Sequence, residues 1–379
     1  MLNLIAEDLD HVVDRGATLW EDLRRARVFV SGGTGFFGCW LLESALHANE
    51  RLNLGLELTV LARDYDKFVR KAPHLATHPR LRFIAGDVRA FEFPTGEYSH
   101  VIHAATDSTL KLTPENRALV AETIVEGTRR MLQFARESGA RKFLFTSSGA
   151  VYGPQPTDLD AIPESYEGAT PTSSYAHGKR AAEDLCREAT TMDVSIARCF
   201  AFVGPHLPLD AHFAVGNFIG DILCGRPIRI SGDGTPCRTY MYAADLAAWL
   251  WTILLRGRPG RAYNVGSERA VSIKDLAGIV ARFVDPPSEV MIARAPMPGT
   301  PPQRYVPSTA RARNELGLDE CFLLDDSIRR TVRYHRLQAL ADDILEGSTW
   351  QTFKSEARSS ATIDPATSSL SSESTTTAA

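Results

Sequence analysis

The sequence predicts an α/β fold: a doubly wound parallel sheet with a smaller lobe towards the C-terminus. Three observations predict it. Short runs that are apolar throughout recur along the chain, helix-length segments separate them, and the first run ends abruptly in a glycine-rich turn that opens a helix. Strands that lack polar alternation are buried on both faces, and intervening helices are what cover those faces. A chain of 379 residues suits two lobes at about 150 residues each.

Taken in order, residues 5–26 read as a charged amphipathic helix with Leu9, Val12, Val13 and Trp20 on its buried side, so that 1–26 forms an N-terminal helical extension. The apolar run Arg27-Val28-Phe29-Val30 follows and stops in Ser31-Gly32-Gly33-Thr34-Gly35-Phe36-Phe37-Gly38, after which Trp40, Leu41, Leu42 and Leu46 mark a helix. Further buried strands are expected at 58–62, 81–84, 101–103, 143–146, 194–197 and 262–265, with helices over 115–138 and 175–189. Residues 27–204, joined by the later strand near 262–266, thus make one dinucleotide-binding domain of the Rossmann type. After residue 204 the texture turns proline-rich and the elements shorten, as in Pro296-Met297-Pro298-Gly299-Thr300-Pro301-Pro302, which sets 205–345 apart as the second lobe. From 355 to 379 the chain is mostly Ser, Thr and Ala, too poor in large apolar side chains to offset its ordering entropy, and disorder is expected there.

Composition narrows the function. A net charge of −4 excludes an electrostatically driven nucleic-acid partner. No apolar run approaches the ~20 residues that span a bilayer, and the acidic N-terminal segment is unlike a signal peptide, so no membrane association is expected. Cys39, Cys186, Cys199, Cys224, Cys237 and Cys321 are scattered without a CxxC or Cys/His cluster. Free thiols in a reducing, cytoplasmic setting fit that spacing better than a disulfide frame or a metal site.

A strand, a glycine turn and a helix together bind a dinucleotide pyrophosphate, because glycines let the backbone approach the phosphates and the helix N-terminus faces their charge. Here the glycines are Gly32, Gly35 and Gly38. The second strand ends in Ala62-Arg63 where a carboxylate would hold the ribose hydroxyls of NAD. Arg63 either stacks on adenine as a solvated charge or pairs with a 2′-phosphate, and the latter tilts the cofactor from NAD towards NADP. Tyr175 and Lys179 lie four apart on a predicted helix, hence on one face. A phenol of ordinary pKa ~10 is a poor base, but a neighbouring ammonium and an oxidised nicotinamide both favour its ionised form. Upstream, a strand ends in Thr146-Ser147-Ser148, and one of these hydroxyls would hold the substrate oxygen. Asp107 reads as either a pocket acid or a helix cap.

These residues resemble the extended short-chain dehydrogenase/reductases, specifically the nucleotide-sugar epimerase/dehydratase family, over residues 27–340. Residues 32–38 match its cofactor loop, with Phe36 and Phe37 beside the glycines. Gly86-Asp87-Val88 is similar to the adenine-contacting turn, His103-Ala104-Ala105 to the strand end beside the cofactor, and residues 147–153 to the catalytic-serine strand. The resemblance implies Ser148, Tyr175 and Lys179 as catalytic residues, a tightly bound NAD(P), and a cofactor site that includes Asp87, Val88, Ala104, Ala105, Tyr175 and Lys179. It also makes the second lobe substrate-binding. Arg238 would grip the diphosphate of a nucleoside-diphosphate sugar through its planar guanidinium, and Asn217, Asn264 and Arg304 would make further contacts. The family's mode of pairing helices implies a homodimer through 115–138 and 175–189.

Departures from the family refine the expected chemistry. Gly149 and Ala150 stand where dehydratases of the family carry an Asp-Glu pair and decarboxylases a glutamate, and Ala201 replaces a common asparagine. Hydride transfer at a ring carbon, C4, by an epimerase or ketosugar reductase is therefore the expected activity. The alternatives are a 4,6-dehydratase drawing acids from elsewhere, such as Asp107, a reductase of small carbonyl compounds, and a non-catalytic dinucleotide sensor.

Overall fold

The computed structural model describes residues 5–16, 18–106, 117–211 and 213–359. Helix α1 (Ala6–Arg15) and a 3₁₀ turn (Trp20–Leu23) lead into β1 (Arg27–Ser31), α2 (Phe36–Leu52), β2 (Glu57–Ala62), the short α3 (Tyr65–Lys71) and α4 (Pro73–Ala76), β3 (Leu81–Ala85) and β4 (His100–His103). Next come α5 (Arg117–Glu137), β5 (Lys142–Ser148), α6 (Ser174–Glu188) and β6 (Asp193–Cys199). Beyond these lie β7 (Phe202–Val203), α7 (Ala214–Leu223), β8 (Ile228–Ile230), β9 (Cys237–Arg238), β10 (Met241–Tyr242), α8 (Ala243–Arg256) and β11 (Ala262–Val265). The chain continues through β12 (Val271–Ser272), α9 (Ile273–Ala281), β13 (Val290–Ile292), β14 (Arg304–Tyr305), α10 (Ala310–Leu316) and α11 (Leu324–Ser359).

The strands assemble as the apolar runs predict. A seven-stranded sheet has the order β11-β6-β5-β4-β1-β2-β3, and its neighbours pair in parallel. Chain order reverses at β1, which pairs with β2 on one side and β4 on the other. That switch leaves a crevice at the carboxyl ends of the strands, where open α/β sheets bind ligands. The register brings Ser31 beside His103, His103 beside Phe145, and Ser148 beside Cys199, so the tips of β1, β4, β5 and β6 share one edge.

Another apolar cluster, with Val203, Leu207, Phe218, Ile219, Ile228, Leu276 and Val280 fully or nearly fully buried, brings together β7, α7, β8 and α9. The described residues up to 334 form one compact unit, and those from 335 to 359 belong to another that contains the rest of α11. Residues 360–379, most of the segment expected to be a disordered tail, lie outside the described residues. Among the described residues no helix is long and apolar enough to cross a membrane.

The N-terminal extension differs from the single expected helix. α1 ends at Arg15, Gly16 caps it, and the chain re-forms as a 3₁₀ turn at Trp20. The expected apolar residues are buried all the same: Leu9, Val12, Val13 and Trp20 are each 1% exposed. The break lets the indole of Trp20 meet that of Trp251 with ring centres 5.3 Å apart, a contact that no uninterrupted helical period encodes.

The extension is also anchored by a buried carboxylate. Asp8 Oδ2 accepts from the Tyr242 hydroxyl at 2.6 Å and Oδ1 from the Arg330 guanidinium at 2.7 Å. Replacing Asp8 by Asn keeps the shape but leaves one acceptor oxygen for two donors, so Asp8→Asn is expected to cost about 1–3 kcal/mol, read as a lower urea midpoint. An unchanged midpoint would mean that apolar packing alone holds the extension.

Candidate active site

The glycine turn between β1 and α2 is built on contact that excludes side chains. Gly32 adopts φ +76°, and a Cβ there would lie 2.6 Å from the Ala104–Ala105 peptide. A Cβ on Gly38 would lie 2.3 Å from the Gly32 carbonyl oxygen. The strand tips of β1 and β4 and the first turn of α2 therefore touch backbone to backbone. Gly35 is the N-cap of α2 and supplies no side-chain cap, so the first-turn amides face outward from a cradle that added Cβ atoms would fill. This geometry fits a pyrophosphate. Lys71, which sequence reasoning passed over, donates from its ammonium to the Thr34 carbonyl at 2.9 Å and brings a positive charge to the loop.

The other expected cofactor residues surround that cradle. The Phe36 and Phe37 rings are tilted to one another with centres 5.8 Å apart, and Phe37 is edge-on to Phe202. Arg63 is exposed at the end of β2. Asp87 is engaged by Arg89 through bonds of 2.9 and 3.0 Å, and these, opposed by partial burial and aided by charges that include Arg63, hold its carboxyl below the usual range. Val88 is half-buried and packs on Gly127 of α5.

Lys179, four residues after Tyr175 on α6, is 2% exposed. Its ammonium donates to Thr106 Oγ1 at 2.8 Å and to the Thr146 carbonyl at 2.7 Å, and lies 4.8 Å from the Phe145 ring centre and 5.8 Å from that of Tyr175. Burial pulls its pKa down to about 8. Burial also pushes the Tyr175 phenol up to about 12, against a hydrogen bond with Ser148 that lowers it. The sequence points to the ammonium and an oxidised nicotinamide together as what favours the phenolate, and in the chain alone the ammonium is bonded to Thr106 and Thr146. The remaining stabilisation of the phenolate has to come from a cationic ligand beside it. Ser148 closes β5, accepts from the Ala150 amide at 3.2 Å and is 8% exposed.

Behind the reacting edge, buried polar groups are paired. His103 Nδ1 lies 2.7 Å from the Ser31 hydroxyl and Nε2 lies 3.1 Å from Thr128 Oγ1. Thr128 already donates to the Ile124 carbonyl, so Nε2 carries the proton and Ser31 donates to Nδ1. Burial first, and then the Lys179 charge, hold this histidine neutral with a pKa of about 3. Glu183, one turn beyond Lys179, is 1% exposed and receives Arg198 from several guanidinium nitrogens, the shortest at 2.6 Å, and the Ser147 hydroxyl at 2.5 Å. Glu183 and Arg198 give no sequence signal, since they lie on different elements and meet only in the fold.

On the substrate side the structure separates the expected residues. Arg238 and Arg304 lie on adjacent strands, β9 and β14. The Arg238 guanidinium sits 5.9 Å from the Tyr305 ring centre, and Arg304 donates to the Asp160 carbonyl at 3.1 Å. Asn217 is exposed on α7. Asn264 differs from expectation: it is 0% exposed, accepts from the Tyr152 hydroxyl at 2.8 Å and donates to the carbonyls of Ile162 and Ser308. Its amide groups are committed inside the protein, together with Glu164, which takes the Asn264 backbone amide at 2.8 Å. It clamps β11 to the two loops and does not face a ligand in this conformation. Asp107 lies outside the described residues.

Elsewhere, His11, Asp245 and Cys321 bring potential metal-ligand atoms within 4.8 Å of one another. The Arg15 guanidinium contacts the Cys321 sulfur, and Asp245 Oδ2 accepts the Cys321 and Phe322 amides. These contacts fasten the extension to α8 and the loop before α11.

A parallel sheet with a glycine cradle at its switch point, a serine at the tip of β5 and a Tyr/Lys pair on α6 define an extended short-chain dehydrogenase/reductase with an NAD(P)-type cofactor. A profile of the NAD dependent epimerase/dehydratase family matches residues 28–266. The chain belongs to that family. UDP-glucuronic acid decarboxylase 1 of Arabidopsis thaliana is 28% identical over 326 residues, covering 84% of this chain and 72% of that protein. UDP-glucuronic acid decarboxylase 3 of the same plant is 31% identical over 301 residues, covering 77% and 83%. Among solved structures, a dTDP-glucose 4,6-dehydratase from Streptomyces venezuelae with NAD bound matches with TM-score 0.70 and 26% identity, over 82% of this chain and 97% of that one. A UDP-glucuronic acid 4-epimerase from Bacillus cereus, in complex with UDP-glucuronic acid and NAD, shares the fold with TM-score 0.71 at 20% identity, over 82% and 99%.

Two outcomes follow from this geometry. Gly38→Ala forces backbone apart where β1 meets α2, so it should cost about 1–3 kcal/mol and abolish the rise in melting temperature that a dinucleotide gives the native protein. Glu183 tests the buried pair through pH. Burial raises its pKa, but the Arg198 bonds outweigh that and hold it below the ordinary glutamate value. A carboxylate lowered on folding contributes stability that is fully present above its unfolded pKa and is lost as pH falls through the folded one. Glu183→Gln should therefore cost about 3 kcal/mol at neutral pH, by leaving Arg198 unpaired, and the gap to the native chain should narrow as the pH falls below the ordinary glutamate range.

Proposed function

We propose that the protein interconverts a hydroxyl and a ketone at a ring carbon, C4, of a nucleoside-diphosphate hexose, as an epimerase or ketosugar reductase. The observation that carries this reading is the composition of the reacting edge. It offers a base, a hydroxyl and a buried cation, but at Gly149 and Ala150 no group that moves a proton for elimination. The space over Gly149 is filled instead: a Cβ there would lie 2.7 Å from both the Tyr305 hydroxyl and the Phe200 ring.

In this mechanism Tyr175 takes the proton of the sugar hydroxyl at its phenolic oxygen. Ser148 holds the same sugar oxygen as it becomes a ketone. Lys179 keeps its charge beneath the Tyr175 ring, orients the cofactor ribose and excludes water from that side. Arg238 and Arg304 hold the diphosphate, and Asn217 lies towards the nucleotide. The bound nicotinamide supplies hydride acceptance and return. Arg63 at the tip of β2 supports a preference for NADP through a 2′-phosphate, and weaker binding of NADP⁺ than of NAD⁺ would contradict it. The neighbouring α5 and α6 support a homodimer, read as twice the chain mass by light scattering.

A second reading has its own observation, because the curated relatives at 28–31% identity are named UDP-glucuronic acid decarboxylases. Oxidation at C4 of a hexuronate makes a β-keto acid that sheds carbon dioxide, and the first step needs the same Ser148, Tyr175 and Lys179. Mass spectrometry of the products separates the readings, since an epimer keeps the substrate mass and a decarboxylation product does not. Tyr175→Phe should lower turnover by about 10²–10⁴-fold while a nucleoside diphosphate still raises the melting temperature. Full turnover in Tyr175→Phe would refute the mechanism.

A further inference from the structure

His11, Asp245 and Cys321 take no part in the site above, and they come from three parts of the chain: α1, the first turn of α8 and the loop before α11. One potential ligand atom from each lies within 4.8 Å of the other two. Asp245 is 1% exposed, and its two oxygens have different fates. Oδ2 accepts the backbone amides of Cys321 at 2.9 Å and Phe322 at 3.1 Å. Oδ1 is buried and has no hydrogen-bond partner among the described residues, and His11 Nε2 is buried without one as well. These two atoms lie 3.9 Å apart, too far for a hydrogen bond.

Leaving a carboxylate oxygen and a ring nitrogen unpaired in the interior is costly, and a dication between them would satisfy both. The donors select the metal. An imidazole, a carboxylate and a thiolate are the mixture that zinc accepts, through bonds of about 2.0–2.3 Å, whereas calcium and magnesium take oxygen. Tetrahedral bonds of that length put ligand atoms roughly 3.3–3.6 Å apart, so the side-chain ends have to close in by about 1 Å. The site is built to allow this. Two amides fix Asp245, while Cys321 is exposed and His11 is partly exposed. The His11 ring is edge-on to Phe322 with centres 4.8 Å apart, which limits its swing. The Arg15 guanidinium contacts the Cys321 sulfur, but Arg15 is exposed and can withdraw into solvent when a dication takes its place. We infer that His11, Asp245 and Cys321 bind one zinc ion, with water as its fourth ligand, and that the ion staples the N-terminal extension to α8 and the loop before α11. No Cys/His spacing marks the site in the sequence, because each ligand comes from a different element.

The test uses the full-length protein, stripped of metal by a chelator under reducing conditions and titrated with Zn²⁺ against a chromophoric competitor. One Zn²⁺ per chain should bind with a Kd of about 1 μM or tighter. His11→Ala and Cys321→Ser should each weaken it by at least about 10–100-fold, the cost of disturbing even the support of a ligand. Neither side chain is fully buried, and Asp245, which holds two amides, is left intact, so both variants keep the fold. Co²⁺ in place of Zn²⁺ should give a thiolate-to-cobalt charge-transfer absorbance that Cys321→Ser removes and Cys224→Ser, at another exposed thiol, retains. Zn²⁺ should also raise the melting temperature of the native chain more than that of Cys321→Ser. Weaker binding to the native chain, equal affinity in both variants, or a cobalt spectrum indifferent to Cys321→Ser would overturn the inference and leave His11 and Asp245 as a bare ion pair.

Discussion

A buried ammonium that is not paired with a carboxylate organises this site. Lys179 is tied by a threonine hydroxyl and a carbonyl to the segment after β4 and to β5, and it lies between the rings of Phe145 and Tyr175. An isolated charge in such a place is costly unless polar partners compensate. The nearest acid on the same helix, Glu183, is itself engaged by Arg198, Arg187 and Ser147. The protein therefore keeps a positive charge close to the Tyr175 ring, and the nearby carboxylate is taken up by other partners.

The same economy governs the substrate side. After the serine this chain has Gly149 and Ala150, neither of which can move a proton, and a phenol from β14 lies against Gly149. The result is a site rich in hydroxyls, with Ser148, Tyr175 and Tyr305 adjoining one another, and with arginines on β9 and β14 nearby. Such a site suits moving one proton at one oxygen, which reversible oxidation of an alcohol requires.

Much of this was legible because the signals are local. The glycine turn, the apolar strands and the Tyr175–Lys179 spacing depend on residues close in sequence, and each stands where expected. Ser148 was found through the order of motifs rather than through its own chemistry. What the sequence concealed depends on distant pairings. Asn264 reads as a ligand contact, but the fold surrounds it with Tyr152, Ile162 and Ser308, which satisfy it. Tyr305 comes to Gly149 only through the pairing of β14 with β9. The N-terminal period runs smoothly through Gly16, while the Trp20–Trp251 contact requires the helix to break there.

The most direct measurement of the central claim is the absorbance of reduced nicotinamide after the protein, loaded with oxidised dinucleotide, is mixed with a nucleoside-diphosphate hexose bearing a free C4 hydroxyl. The account predicts a rise in reduced nicotinamide that is transient for an epimerase, and a slower rise when C4 carries deuterium. A dinucleotide that stays oxidised with every nucleotide sugar tried, or a rise indifferent to deuterium at C4 and undiminished in Lys179→Met, would contradict it.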